Sequence, residues 1–106
     1  MPRYLYQASY TAEGTKGLLK EGGSQRRAAI EQTVKGLGGR LEAFYYAFGE
    51  SDVFAIVDLP DHAAATAASL AVTASGTATV RTVVLMTPEE MDQATRMAVS
   101  YRPPAR

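Results

Sequence analysis

The sequence predicts an α+β domain with the element order βαββαβ, followed by a C-terminal helix. Three features support this prediction: segments in which apolar residues alternate, segments with helical periodicity, and glycine or proline at the junctions. Apolar residues with a period of two are typical of strands, and a period of about 3.6 is typical of helices. The 106 residues suffice for one domain and leave no room for a second core.

The N-terminal part predicts one strand followed by a helical region in two pieces. Residues 3–10 carry tyrosine or alanine at every even position, and aromatic residues favour strands. Thr11 is a predicted helix N-cap. Gly22 and Gly23 interrupt the helix, so Ser24 is predicted to cap a second piece. That piece carries one apolar stripe and ends at a glycine pair; the residues concerned are Ile30, Val34, Leu37, Gly38 and Gly39.

Two strands, 40–48 and 52–59, follow around a turn at residues 49–51. Both strands are apolar on both faces, which is unusual for a sheet that has one face in water. Strict alternation predicts one face of the first of these strands to hold Leu41, Ala43, Tyr45 and Ala47, and the other to hold Glu42, Phe44, Tyr46 and Phe48.

The C-terminal half predicts a helix, a strand and a short final helix. Pro60 ends the preceding strand, and Asp61 is a predicted N-cap for an alanine-rich helix that extends to about Ser75. Residues 78–86 form the last predicted strand. The final helix is predicted to start at Thr87, because Thr87 and Glu90 have the spacing of a capping box and Pro88 suits the first helical position. This helix is predicted to end near Val99.

With right-handed crossovers, this order gives a ferredoxin-like βαββαβ fold, in which a four-stranded antiparallel sheet carries its helices on one face. We expect one domain over residues 1–99 and a C-terminal tail over residues 100–106. The second sheet face is apolar and would be left uncovered by the helices. We therefore expect sheet-to-sheet association of the protein with itself, as a homodimer or higher homo-oligomer.

Composition excludes several function classes. The chain has no cysteine and one histidine, so no cysteine-ligated metal, cysteine nucleophile or zinc site is predicted. Eleven basic residues balance eleven acidic ones, which argues against nucleic-acid binding. No apolar run reaches the roughly 20 residues that a membrane span needs. The N-terminus is not followed by the apolar stretch that is typical of a signal peptide. We expect a cytoplasmic protein without a nucleic-acid or membrane partner.

The segments 44–53 and 56–61, FYYAFGESDV and IVDLPD, resemble the GYD family, named for a Gly-Tyr-Asp element at this hairpin. Supporting features are the segment 15–19, the glycine pair at 38–39 and the segment 87–90, so the resemblance covers nearly the whole chain. Ser51 stands where the family has tyrosine. The resemblance implies a dimeric α/β-barrel type of ferredoxin-like fold. It implies no specific activity, because related barrels include enzymes and small-molecule sensors.

Candidate site residues are few. His62, the only histidine, and Asp52 are candidate acid–base groups, although the first turn of a helix and a turn beside a strand are ordinary structural positions for them. Asp58 is a charged residue at the end of a strand expected to be central. Aromatic side chains with phenol hydroxyls are suited to line a ligand pocket. The candidate ligand-binding residues are Tyr6, Tyr45, Tyr46, Phe48, Asp52 and Lys16.

The leading hypothesis is a homo-oligomeric small-molecule-binding protein, whose pocket lies between helices and sheet or between paired sheets. Aromatic residues without a catalytic constellation favour it. The alternatives are a cofactor-free or haem-assisted enzyme of the monooxygenase or isomerase type, and a structural, partner-binding subunit. The sequence assigns no cofactor and no metal, and it leaves open whether the protein is an enzyme.

Overall fold

A four-stranded antiparallel sheet forms the frame of the protein in the computed structural model, which describes residues 1–105. Arg106, the last residue of the predicted tail, lies outside the described residues. The elements are β1 (Arg3–Tyr10), α1 (Ala12–Glu21), α2 (Gly23–Gly36), β2 (Arg40–Tyr46), β3 (Val53–Asp58), α3 (His62–Ala74), β4 (Ala78–Leu85) and α4 (Pro88–Arg96).

The strand order is β2-β3-β1-β4, and each neighbouring pair is antiparallel. β1 and β3 are therefore central, and β2 and β4 form the two edges. The predicted α+β class and antiparallel sheet are confirmed, and the order is consistent with a ferredoxin-like fold. The capping box at the start of α4 is also present, with both hydrogen bonds between Thr87 and Glu90 formed.

The even positions of β1 share one face, as the alternation predicts, and this face is the one that meets the helices. Tyr4 is 1% exposed, and Val57, which is opposite to it on β3, is fully buried. Burial of each such large side chain contributes roughly 1.5–3 kcal/mol. The stripe predicted on α2 also packs here, through Ile30, Val34 and Leu37. The core of buried residues consists of Tyr4, Val34, Leu41, Ala55, Val57, Leu59 and Ala65.

A β-bulge in β2 overturns the predicted division of that strand into faces. The register shifts between Leu41 and Ala43, so Glu42 is an extra residue with no partner on β3. An extra residue interrupts the alternation, and every residue beyond it changes face. As a result Phe44 packs against the core with Leu41, and the Tyr46 hydroxyl donates to a backbone carbonyl of α2. The grouping of Leu41 with Ala43 was therefore wrong.

Two further predicted details differ. Gly22, with φ of 85°, is the N-cap of α2, so Ser24 is not the cap. Glycine adopts this left-handed conformation without strain, and the chain turns sharply enough for α2 to begin two residues earlier. β2 ends at Tyr46, before the predicted Phe48, because its pairing with β3 stops opposite Val53. The Phe48 side chain is fully exposed in the turn.

The sheet face that points away from the helices, which we call the open face, has three cross-strand rows. Its middle row is apolar across all four strands, and one neighbouring row is mixed while the other is charged around a central carboxylate. These rows are Val83–Leu5–Ile56–Ala43, Arg81–Gln7–Phe54–Tyr45 and Leu85–Arg3–Asp58–Arg40.

Two glycines of α1 provide a test of how this helix packs. A Cβ at Gly14 would lie 1.9 Å from the Thr77 carbonyl oxygen, whereas a Cβ at Gly17 meets nothing within 4 Å among residues 1–105. We expect Gly14→Ala to lower the free energy of unfolding by about 1–3 kcal/mol, because the backbone of α1 must move. Gly17→Ala, the matched control, should raise it by roughly 0.5–1 kcal/mol. Urea unfolding measures both, and equal effects would contradict the close approach of α1.

Candidate functional site

A cleft lies between the helices and the sheet. α2 packs mainly against β2, and α3 packs mainly against β4, so the two helices cover opposite edges of the sheet. The centre of the helix-side face is left as the floor of a cleft of about 300 Å³. This volume is at the lower end of the roughly 300–1,000 Å³ of known small-molecule sites.

The cleft is mainly apolar, and small residues on one wall create its space. Ala68, Ser69 and Ala71 of α3 face the cleft, where longer side chains would reach across to α2. Alanine favours the helix and at the same time leaves the volume above the sheet unfilled. The floor consists of Tyr6, Ala8, Tyr10, Phe44, Val53, Ala55, Ala78 and Val80, and the α2 wall of Arg26, Ile30, Thr33 and Val34.

Few polar groups reach this cleft, and some are already bonded. The Tyr6 hydroxyl donates to the Ala65 carbonyl oxygen at 2.6 Å, and burial raises the pKa of Tyr6 to about 12. Tyr6 is therefore a neutral phenol across the physiological range. Among the described residues that line the cleft, Arg26 is the only charged one. The cleft can therefore hold an apolar body with one anionic group at its margin.

The structure separates the six predicted ligand-binding residues. Tyr6 lines the cleft, while Tyr45 lies on the open face and Phe48 in the exposed turn. The Tyr46 hydroxyl donates to the Gly23 carbonyl oxygen at 2.9 Å, and burial raises the pKa of this phenol. The Lys16 ammonium lies 3.8 Å from a carboxylate of its own helix and is largely exposed.

Asp52, the sixth of these residues, connects the turn after β2 to β1. One carboxylate oxygen accepts from the Tyr10 backbone N–H at 2.8 Å, and the Asp52 N–H donates to the Ala8 carbonyl oxygen at 2.8 Å. A carboxylate acceptor is well suited to a strand end whose N–H has no strand partner. These bonds give Asp52 a structural task. Its acid–base role stays a prediction.

His62, the other candidate, contacts the buried Tyr4. The Tyr4 hydroxyl lies 2.6 Å from Nδ1 of His62, and the two rings meet edge to face. Burial raises the pKa of Tyr4, and the nearby Asp61 carboxylate acts in the same direction. A phenol that keeps its proton donates to Nδ1, which would place the proton of the neutral imidazole on Nε2. His62 is exposed and lies outside the cleft lining.

The charged row of the open face contains a cluster that the sequence did not reveal. Asp58 is 5% exposed, and its oxygens accept from Arg3 Nε at 2.8 Å and from Arg40 Nη2 at 3.1 Å. Glu42 forms ion pairs with both arginines. The Arg3 hydrogen bond is the main cause that lowers the pKa of Asp58 to about 2, and burial opposes it. Only the register of β1, β3 and β2 could have indicated this cluster, because it places Arg3, Asp58 and Arg40 in one row.

Residues 1–105 contain no group of three histidine, cysteine, aspartate or glutamate side chains placed to hold a metal ion. Among the same residues, no helix is both long enough and apolar enough to span a membrane.

The family model of the GYD domain matches residues 4–95, which extend from β1 into the last turn of α4. The chain belongs to the GYD domain family. No curated protein and no solved structure is significantly similar to it. In this GYD domain Ser51 lies in the turn between β2 and β3, next to the Asp52 bonds described above.

Asp58 predicts a dependence of stability on acid pH. Its pKa falls from the model-peptide value of 3.8 to about 2 in the folded protein, so the folded state binds fewer protons than the unfolded state between these values. The resulting stabilisation is complete above pH 4 and is lost as the pH falls through about 2. Because both arginines are partly exposed and screened by water, we expect a contribution of roughly 1–2 kcal/mol.

Asp58→Asn should therefore lower the free energy of unfolding at pH 7 by this amount and flatten its change between pH 4 and 2. Urea unfolding at a series of pH values measures the effect. Asp92→Asn, on the exposed α4, is the matched control. An identical pH profile for Asp58→Asn and the wild type would contradict the assignment.

Proposed function

We propose that this GYD-domain protein is a homo-oligomeric small-molecule-binding protein, and that the ligand occupies the cleft between α2, α3 and the sheet. The observation that carries the proposal is the cleft itself. Its volume of about 300 Å³ and its mainly apolar lining are those of known small-molecule sites, at the lower end of their size range. An apolar cleft of this kind gains free energy when an apolar ligand displaces its water.

The homo-oligomer is supported by the open face. Its middle row is apolar on all four strands, and Val83 is 41% exposed while Tyr45 of the adjoining row is 70% exposed. A contiguous apolar surface of this kind is rare on soluble monomers. A second copy would cover it with the same surface, in a two-fold arrangement of the dimeric α/β-barrel type.

The charged row is compatible with this packing. Asp58 is neutralised within its own chain by Arg3 and Arg40, so the row brings no unpaired buried charge to an interface. α4 also offers surface, because all nine of its residues are exposed, Met91 among them. A cytoplasmic location and the lack of nucleic-acid and membrane partners stay predictions from composition.

Filling the cleft tests the binding site. N-phenyl-1-naphthylamine, a neutral apolar fluorophore, should bind the wild type at one molecule per chain, with a rise in fluorescence. Ala68→Phe places a ring in the cleft and should weaken binding at least about tenfold, which corresponds to about 1.4 kcal/mol. Ala67→Phe, on the exposed side of the same helix, is the control and should bind as the wild type does. Equal weakening by both variants, or binding unaffected by Ala68→Phe, would contradict the site.

Sedimentation velocity tests the oligomer. The wild type should sediment as at least two chains of 11.3 kDa. Val83→Lys should shift it toward the single chain, because a lysine would be buried in the interface without a partner. Val84→Lys is the matched control, since Val84 is 56% exposed and lies on the other side of the same strand. A wild type that sediments as one chain at micromolar concentration would overturn this part of the proposal.

A further inference from the structure

One charged side chain distinguishes the cleft from a purely apolar void. Arg26 lies in the first half of α2, and its side chain is 32% exposed, so the guanidinium is at the margin between cleft and solvent. The other described residues that line the cleft are apolar or carry neutral hydroxyl groups. A ligand that enters here meets positive charge at one point and apolar surface elsewhere.

The bonding of Arg26 leaves capacity for a ligand. Its Nη1 donates to the Glu21 carboxylate at 3.3 Å, a long contact between two partly exposed groups. A guanidinium has five N–H donors in a planar fork, so one such contact uses a small part of them. Glu21 is the last residue of α1 and precedes α2 across the Gly22 junction. A carboxylate of a ligand can displace Glu21 from Arg26, because exposed ion pairs contribute little to stability.

Resting on the proposed binding function, we propose that the ligand of the cleft is an apolar molecule with a carboxylate group. Its ring or chain lies between α2 and α3, and its carboxylate pairs with Arg26. The guanidinium fork matches a carboxylate with two parallel hydrogen bonds. A single guanidinium balances the single negative charge of a carboxylate, whereas a phosphate monoester carries close to two at neutral pH.

A matched pair of probes tests this proposal. 2-Naphthoate and 2-naphthamide share one ring system and differ in the charge of the substituent. By isothermal titration calorimetry, the wild type should bind the acid at least about tenfold more tightly than the amide, as expected for a hydrogen bond to a charged group. Arg26→Gln should abolish this preference, so that acid and amide bind about equally, and a circular dichroism spectrum that matches the wild type shows that the variant is folded.

Two further variants sharpen the result. Arg27→Gln is the control, because Arg27 pairs with Glu31 on the same helix and does not line the cleft; it should keep the preference. Glu21→Gln removes the competing carboxylate and should tighten binding of the acid alone.

The outcomes separate the two proposals. Equal affinity for acid and amide, unchanged by Arg26→Gln, would overturn the carboxylate assignment and leave the cleft as a binding site. A preference for the acid that Arg26→Gln and Arg27→Gln reduce equally would also overturn it, since the effect would then come from overall charge. Failure of both naphthalenes and of N-phenyl-1-naphthylamine to bind would overturn the proposed function together with it.

Discussion

β1 and β3 pair antiparallel in the centre of the sheet, and the rest of the structure depends on this pairing. It places Tyr4 opposite Val57 on one face and Leu5 opposite Ile56 on the other, so both faces of the sheet are apolar at its centre. Both α2 and α3 lie on the first of these faces. The two faces consequently differ: helices cover the edges of one face, and the other carries the apolar middle row of the open face.

The composition of α3 determines what the covered face can do. A helix with leucine or phenylalanine at positions 68 and 71 would fill the space above Ala55 and add several kcal/mol of hydrophobic stabilisation. Alanine and serine leave that space as a cleft and keep the helix stable through their backbone conformation. The apolar surface that lines the cleft stays accessible to water, which costs stability relative to a filled site. The binding function that we propose gives that cost a physical reason.

Features decided by neighbouring residues could be predicted from the sequence. The alternation in β1, the caps at Thr11, Asp61 and Thr87, and the hairpin between β2 and β3 all follow from local rules, and the structure has each of them. Features decided by cross-strand register could not. The bulge at Glu42 adds one residue without altering the composition of the strand, so strict alternation assigned Phe44 to the wrong face.

The residues of the candidate site also differ in whether local sequence rules could predict their positions. Tyr6 belongs to a regularly alternating strand, and it lies in the lining of the cleft; its role in ligand binding stays a prediction. Arg26 was not among the predicted site residues, because the position of α2 relative to α3 has no local signal in the sequence. The Arg3–Asp58–Arg40 row was missed since its members are separated by 55 and 18 positions in the chain.

We propose that ligands enter the cleft between α2 and α3 and do not bind at the open face. An NMR titration of the ¹⁵N-labelled protein with N-phenyl-1-naphthylamine tests this proposal. We expect the largest shift changes on amides of residues 30–34 and 68–72, which form the two walls. Shift changes concentrated at Leu5, Ile56 and Val83 of the open face would contradict it.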